Sequence, residues 1–572
     1  MRSMLRTCMR PRTTRMQCLL TSVIRICQAF ALLAIAAGAA RADDGESKPG
    51  DELITYLARS GLSAAEAAPP RSAGEGPYKR LVLRGGILID GTGAPPFGPV
   101  DIVIEGNRIS AIRSLGDPKS TSRTAIRPAA GDRDLDVSGM YVLPGFVDAH
   151  AHIATPSQGL MGRVPPAEYV FKLWMGHGIT AIRETGSLNG LSWTLDHKRR
   201  SQENEITAPR ISAYAMFPSS SLRQTVKDPV GARRWVSELA SAGADGIKFR
   251  GAPAPVMKAA VAAAKELGLR TACHHDQLAV GRMNVLDTAL WGLTSMEHWY
   301  GLPEALFTDR SVQAYPPGYN YNNEQDRFRE AGRLWRQAAR PGSDRWKHVI
   351  RTLVELDFTL VPTLTIYEAS RDQMRARRAE WHDEYTLPDL MRWFQPSRQA
   401  HGSYFFDWTT ADEVGWKENY RLWMAFLNDY KNAGGRIALG SDAGYIYKLF
   451  GFAYIREMEL LQEAGFHPLE VVKSATLRGA ELLGLDDQVG SVEVGKLADL
   501  VVAQSNPLHN FKVLYGTGAV TLDDETQQVT RSGGIRWTIK DGVVYDTPKL
   551  LADVRQMVAH RKSVEAAGKD SH

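Results

Sequence analysis

Apolar runs broken by turn residues open and close this chain, and alternating strand and helix patterns fill its middle. Residues 81–90 and 100–112 have strand composition interrupted by Gly and Asn turn signals, and 498–503 and 535–545 repeat that character near the other end. Two terminal strand groups around a central body predict one small β-sandwich completed by both ends. In the body, strand patterns fall at Tyr141–Val147, Ala181–Glu184, Ile211–Ala215, Gly246–Phe249, Thr271–His274, Ser295–His298, Leu360–Leu364 and Ile437–Gly440. Helical stretches such as Pro255–Leu267, alanine-rich and stopped by Gly268, lie between them. Strands that alternate with helices predict parallel βα units, and eight of them are the count a (β/α)8 barrel needs. A doubly wound open sheet is the rival.

The same pattern sets expected boundaries. Residues 43–78, rich in Ala, Gly, Ser, Pro and Glu, read as a poorly ordered linker. The sandwich takes 79–143 and 484–546, the barrel 144–483, and 547–572 are left as a tail. Two intervals, 299–345 and 368–416, are too long for plain βα loops and dense in Trp, Tyr, Phe and Arg. Those aromatics either pack the insertions against the barrel or roof a pocket for an apolar substrate.

Composition changes the picture at one place. The formal charge is +5, but residues 1–42 hold seven arginines and no acidic residue, so without them the charge is −2. That leaves no basic surplus to support nucleic-acid binding. An arginine-rich start, the apolar run Ala29 to Ala37 and the small-residue site Ala40-Arg41-Ala42 have the layout of a secretory signal. The run is too short for a stable membrane span, so export to the periplasm or medium is expected, with an uncleaved anchor as the alternative. Cys8, Cys18 and Cys27 would leave with the signal, and Cys273 alone cannot form an internal disulfide.

Candidate chemistry gathers at the carboxyl ends of the expected barrel strands. Phe146-Val147-Asp148-Ala149-His150-Ala151-His152 ends a buried strand in two histidines spaced i, i+2, which leave one face together. Neutral imidazoles there are good zinc ligands. Lys248 ends the fourth strand, where an ammonium is costly unless paired or modified. His274 and His275 close the fifth, Glu297 and His298 the sixth, and Gly440-Ser441-Asp442-Ala443-Gly444 the eighth. Any one of these could be a structural hydrogen-bonding residue; five such strand ends in order are hard to assign to chance. Glu184 reads as structural or supporting, His177 as structural, and Cys273 as pointing away from the site.

This set resembles the amidohydrolase superfamily, in particular its prolidase-like and imidazolonepropionase-like metallohydrolases. The resemblance runs from about residue 79 to 546. It is carried by Pro144–His152, Gly178-Ile179-Thr180, Gly246-Ile247-Lys248, Glu297-His298 and 440–444, and reinforced by Ala475–Ala480 and 490–499. It implies that His150 and His152 bind a buried metal, that His274 and His298 bind a second, and that Lys248, carboxylated by carbon dioxide, bridges them. It also implies that Asp442 binds the first metal and handles protons. Two divalent ions, zinc by preference for a histidine-rich set, would then activate a water for hydrolysis. The adjacency of His274 and His275 departs from the family pattern; the strand's alternation favours His274.

The implied reaction is hydrolysis of a C–N amide bond in a small molecule, a dipeptide or an N-acyl amino acid, with a bulky or aromatic group suggested by the insertions. Arg223, Arg250 and Tyr367 are candidates to bind the substrate. The alternatives are lactone, ester or carbamate hydrolysis, a mononuclear deaminase, or a non-catalytic binding protein on the same scaffold. Assembly into a homo-oligomer is a further expectation from the resemblance.

Overall fold

The computed structural model describes residues 48–116, 127–218, 226–397 and 402–570. The expected signal at 1–42 lies outside these residues. Among them, no helix is long and apolar enough to cross a membrane.

Eight parallel strands follow one another in sequence order: β6 (Phe146–Ala151), β7 (Ile179–Gly186), β8 (Arg210–Met216), β9 (Gly246–Phe249), β10 (Arg270–Cys273), β11 (Ser295–Glu297), β12 (Thr359–Val361) and β13 (Arg436–Ile437). Each pairs with its predecessor, and helices such as Ala254–Glu266 lie between them, which gives a TIM-barrel-like architecture. The strand residues are almost all buried, as strands covered on both faces must be. Beyond β13 the chain also meets β6: the amide of Ala149 donates to the Leu439 carbonyl at 2.9 Å, and that of Asp442 to the His150 carbonyl at 2.8 Å. Gly440 permits this approach, since a Cβ there would lie 2.7 Å from the His150 Cβ.

The two chain ends share a second, mixed sheet. It is built from β1 (Arg80–Leu88), β2 (Phe97–Glu105), β3 (Arg108–Ser114), β4 (Arg133–Asp136), β5 (Tyr141–Pro144), β14 (Leu500–Ala503), β17 (Ile535–Lys540) and β18 (Val543–Asp546). Its order is β18-β17-β14-β5-β1-β2-β3, with β4 beside β1, and a separate hairpin joins β15 (Ala519–Leu522) to β16 (Val529–Ser532). The far edge returns: Ile109 donates to Lys496 at 2.9 Å, and Ala498 to Asn107 at 2.8 Å. The sheet therefore bends round its own apolar cluster, which includes Leu83, Ile102, Val142, Leu500 and Ile539. The expected two-layer sandwich is in this respect one sheet folded over.

Three boundaries differ from expectation. The first strand, expected at Tyr141–Val147, is two strands in different sheets, because the chain crosses from β5 to β6 at Gly145. A Cβ at that position would collide with the Thr180 hydroxyl. The supposed linker is folded in its described part: Glu52–Ala58 is helical, Ala65 donates to the Asn189 side chain at 2.8 Å, and Ala68 donates to His197 at 3.2 Å. Small residues there fit closely against the barrel rather than staying loose. The tail carries a helix, Thr547–Asp570, held by Lys172 to Asp553 at 3.0 Å and by Arg561 to Asp389 at 2.6 Å.

Candidate metal centre

The expected ligand residues converge at the carboxyl ends of the barrel strands. His150, near the end of β6, and His152 just beyond it face the same way, with ring centroids 5.3 Å apart. His150 Nε2 lies 3.6 Å and His152 Nε2 3.2 Å from Asp442 Oδ1, and His298 Nε2 is 3.8 Å from Asp442 Oδ2. The ring of His274 stands 4.6 Å from that of His298. His275 turns away, with Nε2 2.9 Å from the Thr288 hydroxyl. Lys248, on β9, is buried, and its Nζ has no hydrogen-bond partner.

These side chains are aimed by a buried scaffold. His150 Nδ1 is 2.6 Å from Glu297 Oε2, so an N–H donated there leaves the Nε2 lone pair free. Glu297 is in turn gripped by Arg183 Nη2 at 2.8 Å to both oxygens and accepts from the Ser295 hydroxyl at 3.0 Å. Arg183 also donates from Nε to the Ala149 carbonyl at 2.5 Å, which locks the end of β6 to this hub. His298 Nδ1 lies 2.6 Å from the Thr363 hydroxyl, again leaving Nε2 turned towards Asp442. Asp148 braces the last loop by accepting from the Ser441 amide at 2.9 Å and hydroxyl at 2.5 Å. Glu184 accepts from the Ile153 amide at 2.6 Å, and its other oxygen is 3.8 Å from His152 Nδ1.

Backbone strain concentrates at the same rim. Ala154, Ser187, His298, Thr363 and Asp442 are non-glycine residues with φ between 44° and 63°, each just past the end of a barrel strand. Such conformations cost about 1–3 kcal/mol each and persist where the surroundings enforce them, commonly at functional sites.

Electrostatics decide whether a cation fits. Burial pushes His150 down to about 4, aided by the Lys248 charge, and holds His274 and His298 well below the ordinary histidine range. Three neutral imidazoles therefore present lone pairs at neutral pH. Burial opposes charge on Asp442, but His150 and His152 outweigh it and keep this carboxyl strongly acidic. Burial is likewise overcome at His152, where Asp442 and Glu184 raise the imidazole to about 9. The close approach of His152 Nε2 to Asp442 Oδ1, at 3.2 Å, marks the place a cation would take. Ligands about 2.1 Å from a tetrahedral ion stand about 3.4 Å apart, and the Nε2–carboxylate separations of 3.2–3.8 Å match. The donor set fits a divalent metal. Burial also brings Lys248 down to about 8, so a reactive neutral amine is within reach near neutral pH.

The proposed substrate contacts fare differently. Tyr367 is buried with its ring edge-on to His298 at 5.7 Å and stacked on Trp416 at 5.7 Å. Arg250 is exposed beyond β9, and its charge adds to those that keep His274 neutral. Arg223 lies outside the described residues. Among the insertion aromatics, Trp335 packs on Trp346 and Phe426, whereas Tyr300 stands 5.4 Å from His274. His177, two residues past the helix Ala167–Met175, donates from Nδ1 to the Leu173 carbonyl at 2.8 Å, and burial pushes the Cys273 thiol up.

Sequence reasoning gave no part to Arg183 or Thr363, and it counted Glu297 only as a strand-end residue of the Glu297-His298 motif, without a role. The one available signal was a charged residue inside the apolar strand Ile179-Thr180-Ala181-Ile182-Arg183.

Residues 423–544 match the model of the amidohydrolase family. The chain is 42% identical over 72 residues to a D-aminoacylase from Alcaligenes xylosoxydans xylosoxydans, covering 13% of this chain and 12% of that one. It is 36% identical over 77 residues to an imidazolonepropionase from Symbiobacterium thermophilum, covering 13% and 18%. The match to these curated relatives thus spans less than a fifth of their length. Among solved structures, bottromycin amidohydrolase superposes with a TM-score of 0.56 at 20% identity over 91% of this chain and 94% of its own. A Xaa-Pro dipeptidase with bound methionine gives 0.52 at 19% identity over 82% and 100%. These share the fold. The amidohydrolase resemblance read from the sequence holds, by sequence over the C-terminal segment and by fold over most of the chain.

Proposed function

We propose that this amidohydrolase-like protein is a metal-dependent hydrolase of C–N amide bonds, acting on a dipeptide or an N-acyl amino acid at the Asp442 cluster. The observation that carries the reading is the convergence of three imidazole Nε2 atoms on one buried carboxylate, with two of the opposite ring nitrogens tied off by Glu297 and Thr363. His150, His152 and Asp442 would hold one ion, and His274 and His298 a second, with Lys248 as its carbamate between them. A carbamate would relieve the buried, unpartnered amine by making it an anion with two oxygens. Zinc suits the histidine set. Divalent ions bound there supply an acidified water and polarise the scissile carbonyl.

The chain's own residues do the rest. Asp442 is ionised and reaches the mouth, so it accepts the proton of the attacking water and returns it to the leaving amine. Arg183 and Glu297 keep His150 in one tautomer throughout. Tyr367 and Tyr300 stand beside His298 and His274 and would favour a bulky acyl or side-chain group there. We read the parallel sheet as a closed (β/α)8 barrel, supported by the two main-chain bonds between β6 and residues 439–442. Export belongs to the same proposal; the N-terminus of the exported protein is expected at Asp43, and a start elsewhere sinks that cleavage site.

The test is amine release from a panel of dipeptides and N-acyl amino acids by zinc-loaded protein, with Lys248→Ala alongside. Turnover that disappears in Lys248→Ala, together with two metals per chain by elemental analysis, supports the two-metal amidase. Turnover that survives with one metal favours the mononuclear alternative. Metal-loaded protein that ignores every amide but opens lactones or esters overturns the C–N assignment.

A further inference from the structure

We propose that the protein has a second ligand site, for a small carboxylate with an apolar or aromatic body, in a cavity behind the loops that follow β12 and β13. The cavity holds about 350 Å³ and is walled by residues 375–381, by the 447–459 stretch and by residues 512–520. None of the six metal-ligand candidates lines it.

Its buried polar atoms are the argument. Tyr447, only 1% exposed, and Trp381 both face the cavity, and neither the phenol oxygen nor the indole nitrogen has a hydrogen-bond partner. A buried donor left unpaired is costly, and an indole N–H can only donate, so the missing partner is an acceptor. Of the wall's three carboxylates, exposed Glu380 pairs with Arg531 at 3.2 Å and the two buried deeper do not serve. Glu368 is taken by Lys448 at 2.5 Å and Arg456 at 2.8 Å, and Glu459 by Arg456 and Tyr515, each at 2.8 Å. Exposed Arg378 lines the wall, and Arg375 is loosely held: it lies 3.8 Å from Glu368 and 3.6 Å from Glu459, beyond hydrogen-bond range, with its side chain half exposed. It can swing to a bidentate carboxylate without breaking a direct bond. Exposed Lys512 adds a further positive charge to the lining.

The rest of the wall specifies the body of the ligand. Trp381 stacks on Phe452 at 4.8 Å and tilts against Tyr515 at 5.4 Å, and Leu449, Ala453 and Val520 complete an apolar surface. A planar acid would lay its ring on these groups and turn its oxygens to Arg375, Trp381 and Tyr447. The volume suits a molecule of that size.

Benzoate is the probe, titrated calorimetrically into the full chain beside benzyl alcohol, which lacks the charge, and inorganic phosphate, which lacks the body. Saturable benzoate binding is expected, at least about tenfold tighter than either control. Arg375→Gln should weaken it about tenfold, and Trp381→Phe and Tyr447→Phe several-fold each. His298→Asn, which alters the metal centre, should leave it unchanged. Arg375 is half exposed, so that variant folds and keeps the test decisive. Three outcomes overturn the proposal: no saturable binding, affinity indifferent to Arg375→Gln and Trp381→Phe, or binding lost in His298→Asn, which would put benzoate in the catalytic mouth.

Discussion

Two buried charge networks lie beyond the carboxyl ends of the barrel strands, and they are finished differently. Around Glu368 both oxygens are met, by Lys448 and Arg456, at 2.5–2.8 Å. Around Asp442 the atoms are left open: Lys248 Nζ and His152 Nδ1 have no partner, and two imidazoles stand 3.6 Å and 3.8 Å from the carboxylate, too far to hydrogen-bond. A network that only stabilises a fold can be complete in itself, while one that receives an ion or substrate cannot. Burial of charge is common to both, so incompleteness is what singles out the Asp442 network as the candidate site.

Substitutions at the two carboxylates sharpen that contrast. Asp442→Asn should lower kcat/KM by about 10⁴-fold, since it removes the proton carrier, while leaving the melting temperature intact. A variant that keeps a tenth of the activity would break the assignment. Glu368→Gln should do the reverse: it leaves two cations short of an anion and costs about 3–5 kcal/mol in denaturant unfolding, with metal content unchanged.

Acid should expose the same difference. Burial would raise the Glu368 carboxyl, but Lys448 and Arg456 outweigh it and hold it at about 2, below the ordinary 4.5. A depressed carboxyl stabilises the fold fully above its unfolded value and loses that contribution as pH falls through the folded one. The loss, on the order of 3 kcal/mol, should therefore fall between pH 4.5 and 2 and be absent in Glu368→Gln. Urea midpoints across that range check it; equal acid slopes in both proteins contradict it. The smallest effect is expected at Glu297→Gln, which keeps the shape beside His150 but drops the charge. Metal affinity, read by chelator competition, should fall about 10–100-fold.

Much of the candidate metal centre was legible because ligand-type residues ended apolar strands at regular intervals. His150, His152, His274, His298 and Asp442 are each visible that way, and the alternation of one strand separates His274 from His275. What supports them was not legible. Arg183 meets Glu297 across 114 residues, and no local pattern announces such a pair. Composition misled at residues 48–78, where small residues that resemble a loose linker are tied down by Asn189 and His197, more than 120 positions away. It misled again at Tyr141–Val147, where one apolar run is shared by two sheets.

The sheet made from both ends also sets a timetable. β5 pairs with β14, and β3 with residues 495–497 just before it, so neither β5 nor β3 finds that partner until about residue 500 has been synthesised. Between Ser114 and Leu500 a ribosome spends roughly 20–80 s at ordinary rates. For that interval β5 and β3, the two ends of the β5-β1-β2-β3 run, must wait with open strand edges, the feature most prone to pairing with other chains. Because β6 follows β5 after the single residue Gly145, the barrel's first strand is tethered throughout to a sheet that only the final tenth or so of the chain can complete.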